Sequence, residues 1–164
     1  MLGKHELLKR LDEWEIPFSC EEHGPVLNMA ESGKLTLSLE GTRSKNLLLQ
    51  DRKEHYFLIV TTAVKALDLT AIAQALGCKR LSFASSDKLF ELLGIRTGSL
   101  SPLALVNDTA GRVRLVLDTE LIRESTLLFH PLENNASIAL SPHALEAFLT
   151  GIGHRAEWKE LAGR

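Results

Sequence analysis

Lys45 and Asn46 stand side by side in Gly41-Thr42-Arg43-Ser44-Lys45-Asn46-Leu47-Leu48-Leu49-Gln50-Asp51, where a polar loop with a glycine places them directly before an apolar strand. An unpaired lysine is costly to bury, and an amide carries donors and an acceptor that all need partners. At the lip of a strand the two can point jointly into a cleft, where a cation beside an amide suits a polarised carbonyl or a developing oxyanion. Further along, Gly98-Ser99-Leu100-Ser101-Pro102 sets two small hydroxyl residues between a glycine and a proline. The backbone of such a loop can approach a ligand closely. His130 follows the apolar Leu127-Leu128-Phe129 and precedes Pro131, which places it at a strand end near the cleft. His23, in Glu21-Glu22-His23-Gly24-Pro25, is a further imidazole near the start.

Other chemistries fit poorly. Cys20 and Cys78 are far apart and have no paired base in a recognised motif, and buried cysteines are commonly inert small hydrophobes. Neither Ser99 nor Ser101 has the neighbours of an activated nucleophile. No second histidine, cysteine or carboxylate stands at ligand spacing from His130, so no metal is expected. Gly94-x-x-x-Gly98 lacks the Gly-Lys-Ser/Thr ending of a phosphate loop. No cofactor is expected.

The elements that must position these residues follow from periodicity and punctuation. Leu7, Leu8, Leu11 and Trp14 recur at helical spacing within 4–15, and Pro17 with the polar 19–24 stretch ends that helix. A short helix is expected within 26–35. Leu47 to Leu49 and Tyr56 to Thr61 read as consecutive strands joined by the charged turn Asp51-Arg52-Lys53-Glu54. The second is apolar throughout, hence buried on both faces. Asp68 caps a helix that Gly77 stops, Leu81 to Ala84 is a short strand, and Ser86 caps a helix closed by Gly94. Leu103 to Val106 and Arg112 to Leu117 are expected to form a hairpin about the Asn107 to Gly111 turn. Thr126 to Phe129 and Ala136 to Leu140 add two strands, and Ser141-Pro142 opens a last helix ending near Gly151. The order lacks regular βαβ alternation. The fold class is therefore α+β, a mixed and largely antiparallel β-sheet with flanking helices.

Composition sets limits. A chain of 164 residues is long enough to bury a substantial core and is read as one domain spanning 1–164. Apolar residues make up 45% and charged residues 24%, ordinary globular values. The formal net charge of −2 leaves no global basic field, so nucleic-acid contact would need a local patch. Candidate cations are Arg43, Arg52, Lys53, Lys79, Arg80, Lys88 and Arg96. No apolar run reaches membrane-spanning length, and the start lacks a signal-peptide core. A reduced, cytoplasmic setting without membrane contact is expected.

In order and spacing, the Lys45-Asn46 stretch, Leu93 to Pro102, Asn107-Asp108, Val116-Leu117-Asp118 and Phe129 to Ser137 resemble the YbaK-like family of aminoacyl-tRNA editing domains. Within it the chain is most similar to the free-standing prolyl-tRNA editing proteins, over roughly residues 5 to 155. Two departures are conservative: Leu48 where the family often has phenylalanine, and Ser137 where it has threonine. The resemblance implies hydrolysis of an aminoacyl ester, most directly of alanyl-tRNA(Pro), by a bound water helped by a ribose hydroxyl of the tRNA. It implies Lys45 and Asn46 as the catalytic pair. Gly98, Ser99, Leu100, Ser101 and Pro102, together with His130 and His23, are then the substrate-binding set. The partner it implies is the acceptor end of tRNA(Pro), met by a monomer, with prolyl-tRNA synthetase as a further candidate. Two alternatives stay open: a deacylase for cysteinyl-, seryl- or another small aminoacyl-tRNA, or a non-catalytic module that binds tRNA or a synthetase.

Overall fold

The computed structural model describes residues 1–24 and 39–164. The short helix expected within 26–35 lies outside the described residues. In chain order the elements are α1 (Lys4–Glu13), β1 (Ser19–Glu22), β2 (Thr42–Gln50), β3 (Tyr56–Thr62), α2 (Leu69–Ala75), β4 (Ser82–Phe83) and α3 (Ser86–Leu93). A 3₁₀ helix (Pro102–Asn107), β5 (Val113–Asp118) and a second 3₁₀ helix (Thr119–Arg123) follow. The chain closes with β6 (Leu127–Phe129), β7 (Ala136–Leu140), α4 (Pro142–Gly151) and β8 (Ala156–Lys159).

The strands form one sheet in the order β1-β7-β6-β2-β3-β5-β8, with β4 attached to β2. Pairings β1–β7, β6–β7, β2–β3 and β2–β4 are antiparallel, and β2–β6, β3–β5 and β5–β8 are parallel. The α+β expectation holds. Both faces of the central strands are covered, and alternation assigns each residue to a side. Leu58 and Val60 of β3, with Leu115 and Leu117 of β5, pack beneath α1, α3, the first 3₁₀ helix and α4. Phe57 and Ile59 of β3, with Val116 of β5, face Ile72 and Ala73 of α2. That double burial is why β3 reads as an unbroken apolar run.

Four expectations need correction. Thr42 to Asn46 is strand, not loop, because its polar residues are recruited into ladders: Thr42 N–H donates to the Thr126 carbonyl, and Ala63 N–H donates to that of Arg43. Leu103 to Val106 is 3₁₀ helix, not half of a hairpin; the Ser101 hydroxyl accepts from Leu103 N–H and Pro102 sits at the first position. Ser19 to Glu22 is strand β1, and β8 adds a further strand near the end of the chain. The cap of α3 is Ser85, whose hydroxyl accepts from Lys88 N–H, one residue before the serine expected.

Candidate active site

Strand β2 carries β3 along one edge over Ser44 to Gln50, whereas its other edge is divided. β6 pairs there with Thr42 and Arg43, and β4 pairs with Leu49 and Gln50. Between them, residues 44–48 have no described strand beside them. On this edge Thr42 N–H donates to Thr126, and the Leu48 carbonyl accepts from Ala84 N–H. The two-residue period of a strand therefore turns the backbone groups of Asn46 toward the same opening. A cavity of about 270 Å³ occupies it. Its apolar lining includes Leu48, Ala84, Leu89 and Leu100, and its polar lining includes Asn46, Thr97 and His130, with Gly98 close by. Phe83 stands at the rim, 65% exposed. A smaller recess of about 40 Å³ shares Ser44, Asn46 and His130 and reaches Ser137.

Asn46 is oriented by a short relay. The Ser44 hydroxyl donates to the Leu128 carbonyl at 2.8 Å, so it must accept from Asn46 Nδ2, 3.0 Å away. That fixes the amide with Oδ1 on the other side, buried and without a partner among the described residues. A buried acceptor in this state is costly unless something supplies a donor.

His130 is fixed by the same logic. Its Nδ1 lies 2.8 Å from the Ala136 carbonyl. A carbonyl only accepts, so Nδ1 carries the proton and Nε2 keeps its lone pair. Burial pushes the imidazole below its ordinary value and outweighs the opposing hydrogen bond to Ala136; nearby His23 lowers it further. The ring is therefore neutral at pH 7, with one basic nitrogen at the cavity wall. His23 meets it edge to face, ring centroids 6.1 Å apart. His23 Nδ1 donates to the Gly24 carbonyl, and its Nε2 accepts from the Ser137 hydroxyl at 2.9 Å. His23 thus supports the wall behind His130.

In the Gly98 to Pro102 loop, Gly98 adopts φ 90°, a conformation L side chains rarely take. Gly98 and Leu100 line the cavity, whereas Ser99 N–H is engaged by the Arg96 carbonyl. Ser101 is fully buried, and its hydroxyl donates to the His130 carbonyl at 2.8 Å while capping the 3₁₀ helix. Ser101 therefore clamps the loop to the histidine strand, and Pro102 is buried as the first helical residue. Neither serine has a base hydrogen-bonded to its hydroxyl among the described residues.

Lys45 is not brought into this cavity. Successive strand residues face opposite sides, so Lys45 leaves the sheet on the α2 side while Asn46 leaves it on the other. The joint cleft expected for the pair is thereby corrected. Lys45 Nζ donates to the Lys65 carbonyl. Lys45 lies opposite Thr61, whose hydroxyl donates to Asp118 at 2.7 Å. Lys65 Nζ also reaches Asp118, at 2.9 Å, and Glu120, at 3.3 Å. Ser44, Thr97 and Ser137 complete the site and are not among the site residues expected from sequence. For Ser44 the signal was there: it stands two residues before Asn46, on the same strand face.

Both cysteines are free, and burial pushes each thiol up, away from the reactive thiolate. Of the basic candidates, Arg43 lines the small recess, Lys88 pairs with Glu91 at 2.9 Å, and Arg96 lies over the Phe90 ring. Arg52, Lys53, Lys79 and Arg80 are exposed. A larger cavity of about 500 Å³ lies elsewhere; within it Arg114 pairs with Glu157 and His55 Nδ1 lies 2.9 Å from Asp51, while His154 Nε2 meets Asp108 at 3.1 Å.

Residues 23–148 match the family described as the aminoacyl-tRNA editing domain. A prolyl-tRNA editing protein, ProX, from Acetoanaerobium sticklandii is 32% identical over 162 residues, 98% of this chain and 99% of that protein. The prolyl-tRNA synthetase associated domain-containing protein 1 of Danio rerio is 35% identical, covering 91% of this chain and 80% of its own. Among solved structures, the hypothetical protein APE2540 has the same fold, with a TM-score of 0.73 at 21% identity over 97% of this chain and 99% of that one. A candidate trans-editing enzyme for prolyl tRNA synthetase has a TM-score of 0.72 at 18% identity, covering 99% of this chain and 98% of its own. A cavity at the open edge of β2, walled by Asn46, His130 and the Gly98 loop, thus lies within the matched region, and the chain belongs to the aminoacyl-tRNA editing domain family.

Proposed function

We propose that the protein is a trans-acting aminoacyl-tRNA deacylase that removes alanine from mischarged alanyl-tRNA(Pro), using a bound water. The observation that carries this reading is the pairing of an apolar floor with two acceptors, Asn46 Oδ1 and His130 Nε2, that have no donor among the described residues, at one open strand edge. An alanyl ester presents the complement: a methyl group, an α-ammonium and a neighbouring ribose hydroxyl. The methyl packs on Leu48, Leu89 and Leu100. The ammonium donates to Asn46 Oδ1, and His130 Nε2 accepts from the ribose hydroxyl, which in turn orients the water. Backbone N–H groups of Gly98 and Leu100 are the proposed donors to the tetrahedral oxyanion.

Lys45 remains the proposed functional cation. On releasing the Lys65 carbonyl, its flexible four-carbon stem can carry the ammonium round the open edge of β2 toward the ester. The partner is the acceptor end of tRNA(Pro), met by a monomer in the cytoplasm, and prolyl-tRNA synthetase is the source of the error.

Sparing prolyl-tRNA is physically easy, because close packing rejects added atoms through overlap. Rejecting a smaller group is harder, since one methylene is worth only about 1–3 kcal/mol. Glycine, and to a lesser degree serine, is therefore expected to leak through, leaving part of the specificity to tRNA contacts. The test is hydrolysis across alanyl-, prolyl-, seryl- and cysteinyl-tRNA at equal concentration, with alanine and proline compared on the same tRNA(Pro). Alanine should be released and proline retained. Equal rates for both would overturn alanine editing, faster seryl or cysteinyl cleavage would reassign the substrate, and binding without cleavage would make the chain a recognition module.

A further inference from the structure

The cavity at Asn46 continues past Thr97. That residue also lines a second cavity, of about 490 Å³, and a third, of about 580 Å³. Ser86 joins the first to the second, while Phe90 and Arg96 line both the second and the third. Through these shared residues the three cavities adjoin as a groove that runs from the ester site along α3 to the start of α1. Phe90 is out of place for a core residue. Its helix buries Leu89, Leu92 and Leu93, yet Phe90 is 56% exposed on the groove wall. Arg96 is also exposed, with its guanidinium 5.9 Å from the centre of the Phe90 ring and no carboxylate partner among the described residues. At the far end, Asn135 Oδ1 is buried and unpartnered among the described residues.

We infer that Phe90 and Arg96 form a stacking platform for the unpaired nucleotides that precede the terminal adenosine of the acylated RNA 3′ end. This rests on the deacylase reading, which places that adenosine at Asn46 and His130. An exposed aromatic ring beside a free guanidinium suits single-stranded nucleic acid, since every base has a π-face and every linkage a phosphate. Asn135 Oδ1 adds an acceptor suited to the exocyclic amine of a base. The groove's continuity with the ester site selects this occupant over an unrelated protein surface, and Phe83 belongs to the first cavity itself.

The experiment compares wild type, Phe90→Ala and Phe90→Trp on two esters, alanyl-tRNA(Pro) and 3′-alanyl-adenosine, which lacks the preceding nucleotides. Phe90→Ala should raise KM for the tRNA about tenfold, the loss expected for one base–aromatic stack, with kcat nearly unchanged. Hydrolysis of alanyl-adenosine should not move, and Phe90→Trp should restore the tRNA KM. Unchanged KM for the tRNA, or an equal loss on both esters, overturns the platform. A second arm needs no catalysis: fluorescence anisotropy of a labelled RNA hairpin ending in unpaired CCA should show about tenfold weaker binding to Phe90→Ala. If wild type cleaves neither ester, the alanyl-deacylase reading fails, and the anisotropy arm still decides whether Phe90 binds RNA.

Discussion

His130 has its tautomer set by the Ala136 carbonyl and its charge set by burial. A proton on Nε2 would remove the acceptor that the proposed chemistry needs. Because the folded imidazole titrates below its ordinary value of 6.5, deacylation should stay level as pH falls to about 6.5 and decline only below it. His130→Gln should lower kcat at least about tenfold and abolish that acidic limb, whereas a purely structural role would leave the limb in place. Stability follows the same sign. The unfolded chain takes up the proton first, so this residue's contribution is complete above pH 6.5 and is lost as pH falls from there through the lower folded value. Lys45→Ala should reduce deacylation at least roughly tenfold, as one lost charge-stabilising contact does. Folding should survive, because the replacement removes a half-buried side chain and a single hydrogen bond to the Lys65 carbonyl. Near-normal turnover by a well-folded Lys45→Ala protein would remove the residue from the mechanism.

The loop from Gly98 to Pro102 and the 3₁₀ helix after it act as one element. Ser101 holds both ends of the arrangement, accepting from Leu103 N–H and donating to the His130 carbonyl. Ser101→Ala should therefore cost about 1–2 kcal/mol, a lost cap and a lost buried hydrogen bond. It should also lower kcat through a loosened loop, yet leave deacylation measurable, since the hydroxyl is not a nucleophile. Thermal melts and single-turnover rates on the same protein separate the two effects. Full loss of turnover, or an acyl group trapped on Ser101 of the wild type, would contradict the water mechanism.

Across the whole molecule, stability in acid depends on two carboxylates buried between elements. Burial alone would raise Asp118, but hydrogen bonds from Lys65 and Thr61 hold its carboxyl below the ordinary value of 3.8. Asp108 is likewise pushed up by burial and brought below that value by His154 and the N–H groups of Val113 and Arg112. Stability from such groups is present above the unfolded value and lost as pH falls through the lower folded one. Asp118→Asn should therefore destabilise the protein by roughly 1.5–3 kcal/mol at neutral pH, the range for a hydrogen bond to a charged group. The gap from wild type should begin to narrow below pH 3.8, where the unfolded carboxyl takes up its proton, and should close as pH falls through the lower folded value. Denaturant titrations from pH 7 to pH 3 measure it, and a gap that does not vary with pH would refute the electrostatic account.

Local chemistry in the sequence determined much of this. Asp68, Ser141-Pro142 and Gly94 punctuated their helices because caps act within one turn, and the unbroken apolar run of β3 announced a strand covered on both faces. The ordered motifs also led to the family and to Asn46, His130 and the Gly98 loop as neighbours. Ser101-Pro102 carries the same cap signature as Ser141-Pro142, so the 3₁₀ helix at Leu103 was legible, but the apolar run that follows favoured a strand. Tertiary structure alone decided the rest. Thr42 to Asn46 became strand because β3 and β6 supply ladder partners from distant sequence, which no local preference encodes. Once that segment was strand, the two-residue period separated Lys45 from Asn46 across the sheet. The opening between β6 and β4 exists only because two short strands share one edge of β2 at opposite ends. Adjacency in sequence fixed which residues could do the chemistry; pairing between distant strands fixed which face each one serves.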